Sequence, residues 1–380
     1  MRIILHSNLD APWSITGYGQ QTALLAPRLR DAGHEVAISA FWGLAGGSLT
    51  WDDIPVYPSG NDLYGNDVLA GHVRYFGADL VITLIDMWVL SPDVLSSLPV
   101  ACWMPVDTRP LGKANQTVLT AAASVVPVAM SAFGRDRLAE AGFRPCYVPH
   151  GIDTSLFTPP PDRDACREAL GVTGKFVIGI NAANKDTFRK GYAEQFAAFA
   201  RFHARHPDTA LAVHALTAAS GALDLRALAD HLGILDAVFL APQYEYMTGL
   251  ITPAQMASWY GALDLYSGCS YGEGFGLPLA EAQSCGVPVV VTDASSMTEL
   301  CGAGWKVGGE RLWYPLQQAW WVKPSIDAIA RTYERAYTDR KVLVAKAAKA
   351  REFALDYDAD VVFAKHWLPV LDELVERTRR

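Results

Sequence analysis

Two glutamates eight positions apart, Glu273 and Glu281, bracket the run Gly274-Phe275-Gly276-Leu277-Pro278, and three cations, Lys185, Arg189 and Lys190, crowd within six residues upstream. The first glutamate follows an apolar strand candidate at 263–267, and the second lies in a helix candidate that ends near Gly286. Glycines directly before a helix N-terminus let backbone N–H groups approach an anion, and the helix dipole adds positive potential there. A diphosphate would bind well at such a point. Carboxylates in the crevice beyond a strand end are suited to accepting hydrogen bonds from sugar hydroxyls. Lysine and arginine would neutralise the charge that grows on a departing diphosphate. Taken singly, the glycines could be turn formers, the glutamates a solvated helix face and the cations an ordinary basic helix start.

Other constellations are weaker. Asp107 sits in Trp103-Met104-Pro105-Val106-Asp107-Thr108-Arg109-Pro110, directly after a strand candidate, where it could contact a sugar hydroxyl, act as a base toward an acceptor, or cap a turn. Gly17-Tyr18-Gly19-Gln20-Gln21-Thr22 half-matches a dinucleotide fingerprint, but the third small residue is Thr22 and no acidic residue ends the second strand candidate, so an NAD-dependent oxidoreductase is the poorer reading. The pairs Asp162/Asp164 and Asp358/Asp360 stand at helix starts, where acids act as caps. Asp356, Asp358 and Asp360 lack the glycine and closing glutamate of a calcium loop, and His203 and His206 end a helix, so no metal is expected. The stretch 305–321, with Trp305, Trp313, Tyr314, Trp320 and Trp321, reads as buried packing or, less favoured, as an acceptor platform.

The elements that must position these residues alternate short β-branched runs with longer amphipathic ones, the pattern of parallel sheets covered by helices on both faces. Strands are expected at 3–7, 35–41, 80–84, 100–105, 125–130 and 146–148, with helices such as 20–32 and 133–141 between them. The triple proline 159–161 cannot continue a helix or central strand and marks a connector. A second set of strands follows at 176–181, 210–215, 237–240, 263–267 and 287–291, and the chain closes on an amphipathic helix candidate at 359–378. A length of 380 residues, half of them apolar, also demands two cores. Net charge is −8 with 19% charged residues, which argues against nucleic acid as a partner. Six scattered cysteines without a CxxC pair suit free thiols in a reducing cytoplasm. No apolar run approaches the roughly 20 residues of a membrane span, and the first helix candidate has too few cations for an interfacial anchor. Membrane contact is therefore not expected.

The string from Glu273 to Glu281 closely resembles the paired-glutamate motif of retaining glycosyltransferase family 4, the glycosyl transferases group 1. The family has the α/β GT-B fold, with two tandem doubly wound Rossmann-like domains facing each other across a cleft. The resemblance implies that Glu281 binds the nucleotide ribose and Glu273 contacts the donor sugar, with Gly274, Phe275, Gly276 and Leu277 on the donor side. Further segments are similar in the same order and cover nearly the whole chain. Thr16-Gly17-Tyr18-Gly19 resembles the glycine-rich first loop facing the donor, Ser131-Ala132-Phe133-Gly134 a helix opening, and Val148-Pro149-His150-Gly151-Ile152-Asp153 the linker, with His150 where asparagine is commoner. Lys190-Gly191 resembles the diphosphate-binding lysine segment; its usual arginine partner falls at Lys185, so Lys185 and Arg189 both remain candidates. Many relatives carry a histidine near Asp107. The domains implied are 1–157 on the acceptor side, 158–355 for the nucleotide sugar, and a C-terminal helix, 356–380, packing back on the first. The expected activity is metal-independent, retaining transfer of a sugar from a nucleoside diphosphate to a hydroxyl of a glycan, lipid head group, small molecule or protein. A sugar-nucleotide epimerase or hydrolase on the same fold is the alternative.

Overall fold

The computed structural model describes residues 1–8 and 16–378. Contacts divide the chain into two compact units, Met1–Gly151 with Tyr314–Ala319 and Ala359–Arg380, and Ile152–Trp313 with Trp320–Asp358. The break falls after Gly151, before the prolines. Ile152 N donates to Tyr357 O (2.8 Å) and the Thr154 hydroxyl to Asp358 Oδ2 (2.6 Å), which ties the residues ahead of the prolines to the second unit.

In the first unit eight strands form one sheet: β1 (Arg2–Asn8), β2 (Glu35–Trp42), β3 (Leu49–Trp51), β4 (Ile54–Tyr57), β5 (Leu80–Leu84), β6 (Val100–Met104), β7 (Val126–Ala129) and β8 (Cys146–Tyr147). Their spatial order is β3-β4-β2-β1-β5-β6-β7-β8, parallel except for the β3/β4 hairpin. Continuous apolar runs such as Leu80–Leu84 and Val100–Met104 are buried on both faces, as a helix-covered parallel sheet requires. The chain reverses direction across the sheet between β1 and β5, so crevices open beyond the carboxyl ends of these strands.

The second unit holds β9 (Phe176–Asn181), β10 (Thr209–His214), β11 (Val238–Leu240), β12 (Leu265–Gly268), β13 (Val289–Thr292) and β14 (Gly304–Val307) in the order β11-β10-β9-β12-β13-β14. Phe196, Phe199 and Phe202 on the helix Tyr192–His203 meet Tyr333 beneath the sheet, all of them fully buried. Here the switch lies between β9 and β12. A two-stranded ribbon, β15 (Gly309–Tyr314) and β16 (Ala319–Pro324), stands outside the sheet.

The expected single helix over 359–378 is interrupted. Ala359–Val362 and Leu368–Thr378 are α-helical, and Phe363–Trp367 between them is a π-helical turn. Pro369 supplies the cause, because it has no N–H to donate and its ring excludes the carbonyl four residues back. The bulge turns Trp367 inward, where its ring meets Trp103 edge-on at 4.9 Å. All six cysteines are free; burial pushes the Cys102, Cys269 and Cys285 thiols up to about 12 and Cys146 and Cys301 to about 11. No helix among the described residues is long and apolar enough to cross a membrane.

Candidate active site

The segments that leave β9 and β12 flank the switch of the second unit, and both carry charge. After β9, Asp186 Oδ1 accepts from the backbone N–H groups of Phe188 (3.1 Å) and Arg189 (2.7 Å), folding a tight turn that Gly191 N closes on Phe188 O (2.8 Å). Gly191 takes φ +61°, and a Cβ there would lie 2.3 Å from Cys269 O. Only glycine allows the turn to press against the residues following β12. Tyr271 N completes the join by donating to Arg189 O (2.7 Å).

This contact delivers the cations to Glu273. Lys190 Nζ lies 2.6 Å from Glu273 Oε1, Arg189 Nη1 lies 3.4 Å from Oε2, and the Ser270 hydroxyl donates to Oε1 (2.6 Å). Glu273 N donates to Ser295 Oγ (3.0 Å), and Ser296 Oγ donates to Glu273 O (2.8 Å) and Phe275 O (2.5 Å), so the loop after β13 fixes the backbone of the glycine run. Burial raises the Glu273 pKa, but Lys190, Arg189 and Ser270 together outweigh it and hold the carboxyl below its ordinary value. Burial first, then Arg189, lower the Lys190 pKa against the pull of Glu273. Asp186 Oδ2 also lies 3.6 Å from Arg189 Nε, so two carboxylates, Glu273 and Asp186, balance the two cations.

The helix Leu277–Ser284 begins immediately beyond. Gly276 precedes it at φ +111°, and no side chain caps its first turn. That end points positive potential and open amides toward an anion. Within the helix, Glu281 is buried and accepts a hydrogen bond from Tyr260 OH (2.7 Å), which in turn accepts from Asn181 Nδ2 (2.8 Å) at the end of β9. Burial drives the Glu281 pKa up to about 7, against the lowering effect of Tyr260. Tyr266 OH donates to Asn181 O (2.8 Å), which holds the same residue from the other side.

The structure thus gathers Arg189, Lys190, Glu273, Gly274, Phe275, Gly276, Leu277 and Glu281 at one switch point. Lys185, directly after the buried Asn184, is exposed, and it is Arg189 that reaches Glu273. In the first unit, Gly17, Tyr18 and Gly19 form the opening turn of a helix, Gly17–Asp31, and not a loop. Thr16 Oγ1 accepts from Gly19 N (3.1 Å) and from Asn8 Nδ2 (3.0 Å), which anchors that turn to the end of β1. Asp107 is half-buried beyond the end of β6. His150 is buried against the Trp103 ring (4.4 Å) with its pKa lowered to about 3 by burial, a packing position. Ser131 caps the helix Ala132–Glu140 through Gly134 N (3.0 Å), and Asp162 caps Arg163–Leu170 through Ala165 N (3.0 Å). His203 bonds Thr209 Oγ1 (2.8 Å) and His206 bonds Glu334 (2.8 Å).

Tyr260, Asn181, Ser270, Ser295 and Ser296 complete the site without having stood out in the sequence. Only the Asp293-Ala294-Ser295-Ser296 run after an apolar strand carried a local signal, a polar turn at a carboxyl strand end.

Residues 172–353 match the family described as "Glycosyl transferases group 1". Among curated proteins, the D-inositol 3-phosphate glycosyltransferase of Arthrobacter sp. (strain FB24) is 35% identical over 154 residues, 40% of this chain and 34% of that protein. The lipopolysaccharide core biosynthesis mannosyltransferase LpsB of Rhizobium meliloti (strain 1021) is 28% identical over 224 residues, 57% and 58% of the two chains. The aligned region thus spans about a third of the inositol phosphate enzyme. Among solved structures, sucrose-phosphate synthase from Thermosynechococcus elongatus superposes with TM-score 0.77 at 17% identity over 99% of this chain and 100% of that one. Anabaena HepE, solved with UDP and glucose, gives 0.73 at 19% over 98% and 100%. At such identities these two speak for the fold alone, which is GT-B. Over residues 172–353, just under half of its length, the chain is similar to the glycosyl transferases group 1 family.

Proposed function

We propose that this protein transfers a sugar from a nucleoside diphosphate sugar to a hydroxyl acceptor, with retention of the anomeric configuration. The observation that carries the reading is the contact of Lys190 and Arg189 with Glu273 beside the uncapped start of the helix Leu277–Ser284. In the reaction the bond from the anomeric carbon to the diphosphate oxygen breaks, and the acceptor oxygen bonds that carbon while losing its proton. The departing diphosphate gains charge, and Lys190, Arg189 and the helix start are placed to stabilise it. Glu273 orients the sugar as its anomeric carbon becomes positive. Glu281 holds the ribose hydroxyls. In the first unit, Asp107 is assigned a sugar hydroxyl or the acceptor proton, and the turn Gly17-Tyr18-Gly19 the donor. Because cations and helix start together can balance a diphosphate, turnover is expected to survive chelation by EDTA. The matched relatives named for inositol phosphate and lipopolysaccharide core acceptors support a polyol or glycan as the acceptor here.

Slow hydrolysis of a panel of nucleotide sugars, followed by NMR, tests the reading. Retained configuration in the released sugar or product is expected, and inversion would refute it. Lys190→Ala should lower turnover by about 3 kcal/mol in barrier, more than a hundredfold, with nucleotide affinity less affected. An unchanged turnover, or full loss of activity with EDTA restored by magnesium or manganese, would remove these roles.

A further inference from the structure

The ribbon β15/β16 carries a feature that the proposed reaction leaves unused. Along a strand, side chains alternate between faces. Trp321 and Ala319 point inward and are buried, while Trp320 is turned outward at 39% exposure. On the other strand Trp313 is 44% exposed, and the two outward indoles meet edge to face with centroids 5.0 Å apart. Arg311, exposed two residues before Trp313, shares that face. The root of the ribbon is braced on the loop that bears Glu273. Val322 N donates to Tyr271 O (3.1 Å), and Lys323 Nζ lies 3.6 Å from Glu194, which also accepts from Tyr271 OH (2.7 Å).

Resting on the glycosyltransferase reading, we propose that Trp313 and Trp320 form a stacking platform for a saccharide ring of the acceptor. Size decides between occupants. Two tryptophans of up to about 250 Å² each, exposed to this degree, present roughly 200 Å², the scale of one or two sugar rings and well below the roughly 800 Å² per partner of a stable protein interface. An indole face covers the apolar C–H face of a pyranose, and Arg311 beside it can donate to hydroxyls or to an anionic substituent. Leu312 and Leu316, also exposed, make a lipid surface the competing occupant. One observation weighs against it: the chain carries a net charge of −8, which repels anionic membranes.

The test uses the full chain with saturating UDP or GDP and, as probes, the methyl pyranosides of glucose, mannose and galactose together with maltotriose. Saturation-transfer NMR should show ring protons of at least one probe in contact with the parent protein. Trp313→Ala and Trp320→Ala should each weaken that probe by about tenfold, Trp320→Tyr should restore most of the loss, and Trp88→Ala, an exposed indole elsewhere, should change nothing. Hydrolysis of the nucleotide sugar, which needs no acceptor, should stay unchanged in both alanine variants and shows that they fold. Absence of contact for every probe at its highest soluble concentration, or contact that survives both alanine variants, overturns the platform. Cosedimentation with phosphatidylcholine–phosphatidylglycerol vesicles that is lost in the alanine variants assigns the face to lipid instead, and also overturns it. A parent that hydrolyses no nucleotide sugar would refute the glycosyltransferase reading, while the probe contacts would still decide the platform.

Discussion

Glu281 is a carboxyl group enclosed in protein, with Tyr260 as its hydrogen-bond donor and, among the described residues, no ion pair. A ribose offering two hydroxyls would supply what the free protein withholds. Until then the charged form is costly, which is why its pKa rises from its ordinary value of 4.5 to about 7. The sign of the pH effect follows from the raised value. Between these two pH values the folded chain binds the proton that the unfolded chain has released, so this group's contribution to stability is complete below about 4.5 and is lost as pH climbs through 7. The loss is on the order of 3 kcal/mol. Glu281→Gln should therefore raise the melting temperature at pH 8 and leave it nearly unchanged at pH 4, while weakening nucleoside diphosphate binding at both. Paired melting scans and calorimetry check this. An equal shift at both pH values would show that Glu281 is not protonated on folding.

The turn Asp186–Gly191 shows how an element, and not a side chain, can govern the site. Its backbone conformation is set by Asp186, yet its closeness to the residues after β12 depends on Gly191 having no Cβ. Gly191→Ala must push the turn away from Cys269 O, by more than an ångström to reach ordinary contact, and would carry Lys190 with it. We expect a loss of stability of about 2 kcal/mol and a fall in turnover comparable to that of Lys190→Ala, both measured on the purified variant. Intact turnover would show that the lysine does not need this turn. The contrast with Tyr260 explains what the sequence could and could not reveal. Glu273, Glu281 and Lys190 were legible because each stands in a local pattern, glycines before a helix or a basic group before a helix start. Tyr260 and Asn181 were not, because they meet Glu281 only after β9, the helix Pro253–Gly261 and the helix Leu277–Ser284 assemble. The strands that were expected lie within two residues of those observed, since buried parallel strands are continuous apolar runs, while β3, β4 and β14 were not foreseen. The ribbon β15/β16 escaped for the opposite reason: its tryptophans look like core until the alternation of faces is known.

At the scale of the whole molecule, the chain's end completes the unit in which the chain begins. Trp367, Leu371 and Leu374 are buried in the first unit, with Trp367 against Trp103 and Arg28 paired to Asp360 (2.8 Å). Truncation after Asp358 would strip these contacts from a sheet that cannot rebury them. It should abolish or sharply lower the melting transition of the first unit while the second still binds nucleoside diphosphate, which separate fluorescence and calorimetric melts would resolve. Leu374→Ala, a milder form of the same lesion, should cost about 2–5 kcal/mol.

The buried thiols have one more consequence, and it concerns the bench. Thiolates, not thiols, react with alkylating reagents, and five of the six cysteines hold their protons well above neutral pH. Iodoacetamide at pH 8 should mark the folded protein at Cys166 alone and all six sites only after urea, as intact-mass spectra would record. Modification of Cys269 in the folded state would contradict the packing around it. A dye could then be attached to the natural sequence plus a single Leu316→Cys change at the ribbon tip, with only Cys166 to replace, leaving the other five cysteines where the fold needs them.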